Sequence, residues 1–414
     1  MAPPPSAHRF RFPRLAVSAA RGALVAVAVL LVGAAGEAWR WPLPDWVPPP
    51  AVPADNPMSA EKVALGRHLF YDKRLSSDGR MACATCHEQA RAFTDGKAVS
   101  AGVTGQVGSR SAMALVNVAY LPVLTWQNPQ LTSLEVQALI PLFGEHPVEM
   151  GLAGREQPLF ALLKADPVYR RLFARAFPDE ARLGDAALYS LATLTKALAS
   201  FERSLLSFDS PYDRYRYGGQ KSAISAAARR GEDLFFGEKL ECYHCHGGFN
   251  FTDNLKHART PFAEVGFHNT GLYNEDGRGA YPAAAPGIVE FTGDARDAGR
   301  FRTPSLRNVA VTAPYMHDGS IATLPEVLRH HYARAGRALH QGRRANPLRS
   351  ELIAGFEITE AEIADVVAFL ESLTDERFLR DPAHSDPWKA GREGGTTVRP
   401  GPGLPPAQPD PVPD

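Results

Sequence analysis

The stretch Met81-Ala82-Cys83-Ala84-Thr85-Cys86-His87 constrains this chain more than any other. Two thiols three positions apart, with an imidazole directly after them, form the attachment signature of a c-type haem. Each thiol adds across one haem vinyl group, and the His supplies the proximal iron ligand. The signature recurs as Cys242-Tyr243-His244-Cys245-His246, and the 4 cysteines of the chain all lie in these two stretches. The competing arrangement is one zinc held by both CxxC pairs. It calls for pairs close in sequence, whereas 155 residues separate Cys86 from Cys242. Two covalent haems are expected, and no cysteine is left for a disulfide framework.

A chain of 414 residues is long enough for two domains with buried cores. Lys plus Arg and Asp plus Glu both number 45, so no field of one sign points to nucleic acid or membrane lipid. Arg9, Arg11 and Arg14 precede an apolar run from Gly22 to Ala35, and Gly36-Glu37-Ala38 offers small residues for cleavage. The run is shorter than the roughly 20 residues that span a bilayer. Residues 1–38 therefore read as an export signal, with an uncleaved anchor as the alternative. Export to the periplasm suits haem attachment, which takes place outside the bacterial inner membrane. Residues 39–56 are rich in Pro and read as an extended linker. Residues 381–414, Gly/Pro-rich from Gly391 onward, read as a disordered tail.

Between these ends the apolar spacing is helical. Ser59 precedes a short amphipathic helix bearing Val63, Leu65, Leu69 and Phe70. Residues 156–176, 184–206 and 222–236 follow as helices, the last delivering the chain to the second haem motif. Helix before haem motif thus occurs twice, with no close sequence repeat beyond it. The Gly-rich loop from Gly96 to Arg110 contains neither His nor Met and reads as a solvated connector. Ser133 caps a helix that Pro141 ends or kinks, and Glu149 lies in the next loop. A carboxylate beside a haem is what peroxide chemistry needs, because one oxygen must lose its proton while the other gains it. Taken alone, Gln137 and Glu149 are surface polar residues. Met316, His317, His331 and Tyr332 are four side chains able to reach an iron, while His268 reads as a solvated or hydrogen-bonded loop residue. Thr359 and Glu362 form a capping box for a closing helix whose face is Ile363, Val366, Val367 and Leu370.

With these residues in view, positions 59–376 resemble the bacterial di-haem cytochrome c peroxidase and MauG superfamily. The resemblance is carried by both haem motifs, Phe93-Thr94-Asp95-Gly96, the Trp126 to Glu149 segment and the Thr303 to Gly319 segment. Leu124-Thr125-Trp126, Pro141-Leu142-Phe143-Gly144-Glu145 and Phe267-His268-Asn269-Thr270-Gly271 look most like its MbnH branch. It implies an all-α fold of two cytochrome c-like haem domains packed around a shared interface, here residues 57–215 and 216–380. By that similarity Cys83, Cys86 and His87 hold the peroxide-reactive haem, five-coordinate without activation. Gln137, Pro141 and Glu149 match its distal pocket, with Glu149 the acid–base residue. Two extra residues separate Gln137 from Glu149 relative to the family spacing. Trp126 matches the residue that relays charge between the haems.

Cys242, Cys245 and His246 match the attachment of the second haem, an electron reservoir. Its sixth ligand is Tyr in the MauG and MbnH branches and Met in many peroxidases. Tyr332 is the assignment here, and an ungapped match places His331 there instead. Met316 and His317 then belong to the loop around the propionates. Axial ligands set haem potential, and an anionic Tyr favours high-valent iron. The implied activity is peroxide-driven formation of a high-valent di-haem state that oxidises a partner side chain. For the MbnH branch that side chain is a Trp of an MbnP-like copper protein. Leu240 and Glu241 stand where MauG carries a partner-facing Trp, which speaks against the MauG substrate. Two other functions compete: a peroxidase fed by a small c-type cytochrome, and a pure electron-transfer cytochrome. A calcium ion is also implied, with Thr312 and Pro314 matching its carbonyl donors and Ser111 standing where Asn is usual.

Overall fold

Glycine sets the closest helix contacts in the computed structural model, which describes residues 39–337 and 344–390. Helix Ala60–Tyr71 begins where the Ser59 side chain accepts from the Lys62 backbone N–H, a cap worth about 1 kcal/mol. It crosses helix Leu191–Arg203 so closely that a Cβ on Gly66 would collide with the Ala197 carbonyl. Leu65, Leu69 and Phe70 pack there against Leu194, Leu198 and Phe201. The second half repeats the device. Helix Ala226–Phe236, capped by Ser225, crosses helix Glu360–Glu371 with Gly231 against the Asp365 carbonyl. Phe235, Ile363, Val366, Phe369 and Leu370 fill that core, and the Thr359–Glu362 capping box forms as expected.

The repetition goes further than the sequence discloses. Gly66-x-x-Leu69-Phe70 corresponds to Gly231-x-x-Leu234-Phe235, Phe93-Thr94-Asp95 to Phe251-Thr252-Asp253, and Asn117-Val118-Ala119 to Asn308-Val309-Ala310. Both asparagines are left-handed, with φ of 54° and 59°. Asn117 Oδ1 accepts from the Ser207 N–H and Asn308 Oδ1 from the Asp375 N–H, each at 2.8 Å. Thr94 and Thr252 donate to the carbonyls of Ala112 and Thr303 at 2.6 and 2.8 Å. A close sequence repeat is absent, as expected, but a sparse one extends beyond the haem motifs. Its matched positions are few and widely spaced, because backbone geometry rather than composition defines them.

From Trp41 onward the chain forms one compact unit. At the junction of its cores the Arg307 guanidinium, fully buried, donates to both Asp213 oxygens at 2.9 and 3.0 Å. Removing either partner of such a pair costs about 3–5 kcal/mol. The fold is mostly helical, with one small antiparallel ribbon, β1 (Phe267–Asn269) and β2 (Arg300–Arg302), pairing Phe267 with Arg302. Among the described residues no helix is long and apolar enough to cross a membrane. The expected export signal, residues 1–38, lies outside the described residues, as do residues 391–414.

Several expected boundaries shift. Residues 156–176 form two helices, Glu156–Ala165 and Pro167–Ala176, because Asp166 caps the second and Pro167 cannot continue the first. Residues 184–206 likewise divide into Asp185–Leu188 and Leu191–Arg203, the latter started by the Ser190–Thr193 capping box. The linker expected at 39–56 is a packed strap. Val47 is buried among Tyr120 and Phe208, the Tyr120 hydroxyl donates to the Pro48 carbonyl at 2.8 Å, and the Ala258 N–H donates to Pro49. Proline offers rings and carbonyls without donors to satisfy, which suits a strap laid over a core. Residues 381–390, expected in the disordered tail, are docked. Tyr71 donates to the His384 carbonyl at 2.7 Å, and the Trp388 indole donates to the His68 carbonyl at 3.0 Å.

Gly66→Ala and Gly231→Ala should each destabilise the protein by about 1–3 kcal/mol through overpacking. Denaturant unfolding checks this, and an unchanged midpoint would show that the helix pairs can separate without cost.

Candidate active site

Each haem motif presents its histidine in the same way. His87 Nδ1 lies 2.7 Å from the Phe93 carbonyl and His246 Nδ1 lies 3.1 Å from the Phe251 carbonyl. The ring N–H at Nδ1 donates to the carbonyl, so Nε2 keeps its lone pair for a metal. Both carbonyls are aimed by left-handed backbone, φ 64° at Phe93 and 51° at Phe251, at a cost of roughly 1–2 kcal/mol each. Burial lowers the pKa of both histidines and so favours the neutral, ligating form. The thiols of Cys83 and Cys242 are pushed up to about 12 by burial, and all four cysteines are unpaired. Among the described residues the four thiols do not gather into one metal cluster. Zinc is set aside; two separate thiol pairs, each beside an oriented imidazole, fit two c-type haems.

Cys242, Cys245 and His246 line a cavity of about 290 Å³ together with Trp126, His317 and Tyr332. The segment Val327–Tyr332 leading to it is a π-helix. Its wider turn holds one residue more than an α-helical turn and includes both His331 and Tyr332. Tyr332 is half-buried because its open side faces the cavity, and burial raises its phenol, helped by Cys245 and Cys242. His331 is fully buried outside the lining, with neither ring nitrogen hydrogen-bonded.

Around the first motif, the predicted helix after Ser133 is broken at Ala138 into Leu134–Gln137 and Leu139–Phe143, the latter carrying Pro141. A bidentate bond from Arg203 to Glu135, at 2.7 and 2.8 Å, anchors this segment to helix Leu191–Arg203. Despite burial, that guanidinium holds the Glu135 carboxyl down at about 2. The Met150 N–H donates to the Pro141 carbonyl at 2.9 Å, which brings the Glu149 loop onto the broken helix. The Gly-rich loop, expected as a solvated connector, braces the other side. The Val103 N–H donates to the Glu149 carbonyl, the Gln106 side chain accepts from the Val148 N–H, and a Cβ on Gly102 would collide with the Val148 carbonyl. Burial pushes the Glu149 carboxyl upward, and Glu149 in turn raises the thiols of both Cys83 and Cys86. Its carboxylate accepts no hydrogen bond from the described residues, so it is available to a substrate proton. Gln137 ends its helix half-buried.

Trp126 is fixed at both ends. Its indole N–H donates to the Ser111 carbonyl at 3.0 Å, and its own carbonyl accepts from the Arg302 N–H at 2.8 Å. Ser111 N–H donates to His317 O, and the His317 ring stacks on Phe301 with centroids 3.7 Å apart. Burial drops His317 to about 4 and its Nε2 has no partner. Met316, like Trp126 and Tyr273, packs against the buried cluster of Leu272, Tyr281, Phe301 and Ile321. His268, expected to be solvated or hydrogen-bonded, lies 2.5 Å from Asp253, which raises it to about 10. Ser111, Thr312 and Pro314 line the same cavity. They offer calcium neutral oxygens and no carboxylate, and the Ser111 hydroxyl already donates to Met316 O at 3.4 Å. The neutral carbonyl oxygens are hard donors of the kind calcium takes, and the Ser111 hydroxyl is a weaker ligand than an amide oxygen.

One buried acid escaped the sequence reading. Glu202 is 7% exposed with Oε2 unpartnered, is pushed up to about 8 by burial, and raises Cys83. Its only signal was a carboxylate beside the apolar face of a helix.

Comparison with known proteins supports the same picture. A family model described as di-haem cytochrome c peroxidase matches residues 60–222. Methylamine utilization protein MauG of Methylophilus methylotrophus is 34% identical over 80% of this chain and 86% of its own length. Cytochrome-c peroxidase IdrP1 of Denitromonas iodatirespirans is 37% identical over 88% and 94%. A solved structure of a MauG-like protein associated with microbial copper homeostasis is 50% identical, with a TM-score of 0.80, over 85% of this chain and 100% of that one.

Tyr332→His should alter the optical spectrum of the second haem while His331→Ala leaves it unchanged; the reverse pattern would assign the ligand to His331. Glu202 binds its proton more tightly folded than unfolded. Its contribution to stability is therefore full below the ordinary carboxylate value of 4.5 and lost as pH rises through about 8. Glu202→Gln should flatten that pH dependence in denaturant unfolding, and a slope identical to that of the parent would contradict it.

Proposed function

The chain belongs to the di-haem cytochrome c peroxidase family of oxidoreductases, and on that premise we propose a peroxide-driven oxidation of a partner protein. In this reading the chain is exported to the periplasm and folds as two cytochrome c-like domains, residues 57–215 and 216–380. Cys83, Cys86 and His87 hold one haem; Cys242, Cys245, His246 and Tyr332 hold the other. The bound haems supply the redox chemistry, cleavage of the peroxide O–O bond and storage of its two oxidising equivalents. Tyr332 in the cavity of the second motif is the observation that carries the proposal. With a haem bound, a hard anionic Tyr332 oxygen as ligand would favour the oxidised metal, where a thioether would favour the reduced one. The partner class follows from the relative associated with microbial copper homeostasis, and an MbnP-like copper protein with an oxidisable Trp fits it.

Glu149 works on the peroxide proton. Its carboxylate accepts the proton from one peroxide oxygen and returns it to the other, which leaves as water. Burial without a hydrogen-bond partner keeps its proton affinity above that of an ordinary carboxyl. The deprotonated form must be present at the start, so the rate falls as pH drops through that raised value. Pro141, tied to the Glu149 loop through Met150, and Gln137 shape the pocket. Trp126, held by Ser111 and Arg302, carries charge between the two haems.

Glu149→Gln should slow the reaction with peroxide about 100-fold and remove its acid limb, with both haems still attached. An unaffected rate would strip Glu149 of this role. The rival reading is a peroxidase fed by a small c-type cytochrome. Rapid turnover with reduced cytochrome c, without modification of a copper-protein Trp, would favour it over ours.

A further inference from the structure

An aromatic pair at the surface connects to the second haem motif. Trp46 and Tyr217 lie face to face, with centroids 3.8 Å apart and planes 13° off parallel. Tyr217 is 43% exposed and Trp46 is half-buried, so the outer ring meets solvent. Beneath them the buried Arg307 guanidinium lies 5.9 Å from the Trp46 ring, 4.7 Å from Phe208 and 5.6 Å from Phe251. Phe251 is the residue whose carbonyl accepts from His246. A hydrogen bond from the proximal imidazole to the Phe251 carbonyl, then cation–π contacts of Arg307 with Phe251 and Trp46, and the Trp46–Tyr217 stack lead from the haem motif to the surface. Asp213 neutralises Arg307 through two hydrogen bonds, so removing an electron from Trp46 is not opposed by a bare buried charge. The strap holds the indole still: the Val47 N–H donates to Pro44 and the Tyr120 hydroxyl to Pro48.

Trp and Tyr are the most readily oxidised aromatic side chains, and here they are stacked at a surface. We propose that the Trp46–Tyr217 pair is the exit through which oxidising equivalents reach the partner, a proposal that rests on the peroxide-driven reading above. One electron passes inward from Trp46 and reduces the stored, peroxide-derived oxidant by one equivalent. Tyr217 refills Trp46 and releases its phenolic proton to water. An electron and a proton from a Trp or Tyr of the partner, docked against the open face, restore Tyr217. Two such cycles consume one peroxide.

Full-length protein carrying both haems is treated with hydrogen peroxide and a nitroso spin trap, without partner, and the adducts are located by peptide mass mapping. Adducts at Trp46 or Tyr217 are expected. Trp46→Phe, which keeps a ring in the stack, should abolish the adduct at Tyr217. If the haem spectra respond to peroxide but adducts fall elsewhere and both residues stay unmodified, the exit is overturned alone. If Trp46→Phe leaves the Tyr217 adduct undiminished, the order of the relay is overturned. If the haem spectra do not respond to peroxide, the peroxide reading fails and the exit fails with it.

Discussion

The rest of the structure depends on the hydrogen bond from each proximal imidazole to the carbonyl of a left-handed phenylalanine. It sets the tautomer, points Nε2 at the space beside the thiols, and ties the haem motif to the core. Phe93 packs edge-on to Phe70 and tilted against Phe378, and Phe251 packs edge-on to Tyr212. Such contacts add about 0.5–1.5 kcal/mol beyond their buried area, enough to offset much of the left-handed strain. Both anchors sit in helix pairs brought together by Gly66 and Gly231. The same solution is used twice, and the differences between the halves carry the function.

Those differences lie on the opposite side of each histidine. In the first half a Gly-rich loop and a broken helix hold Glu149 half-buried, its carboxylate without a hydrogen-bond partner among the described residues. In the second half a π-helix turns Tyr332 toward the cavity and leaves His331 in the core. In the proposed function one half handles a proton and the other offers a hard oxygen ligand. Trp126, clamped through Ser111 and Arg302, lines the cavity of the second half while its ties run back to the loop after the first. The loop from Gly96 to Arg110 touches both sites, since Gly319 packs against Ala98 while Val103 holds Glu149.

Much of this was legible from residues. The haem motifs named four cysteines and two histidines outright, and the caps at Ser59, Ser133 and Thr359 announced their helices. Proline and serine within 156–176 and 184–206 also signalled breaks, but apolar periodicity masked them. What stayed hidden is set by contacts across long separations. Gly102 resembles any loop glycine until the Val148 carbonyl lies against it. The Asn117 and Asn308 turns match only once their left-handed backbones are seen. The Pro-rich segment around Trp46 has the composition of a linker, yet its rings and carbonyls are used for packing. The one-residue ambiguity at His331 and Tyr332 could not be counted away, because a π-turn has no fixed sequence signature.

Electron paramagnetic resonance of the resting oxidised protein tests the ligand asymmetry most directly. His87 with no protein ligand opposite should give a high-spin signal, and His246 with Tyr332 a low-spin one. Two low-spin signals would contradict this account, because both irons would then be closed to peroxide.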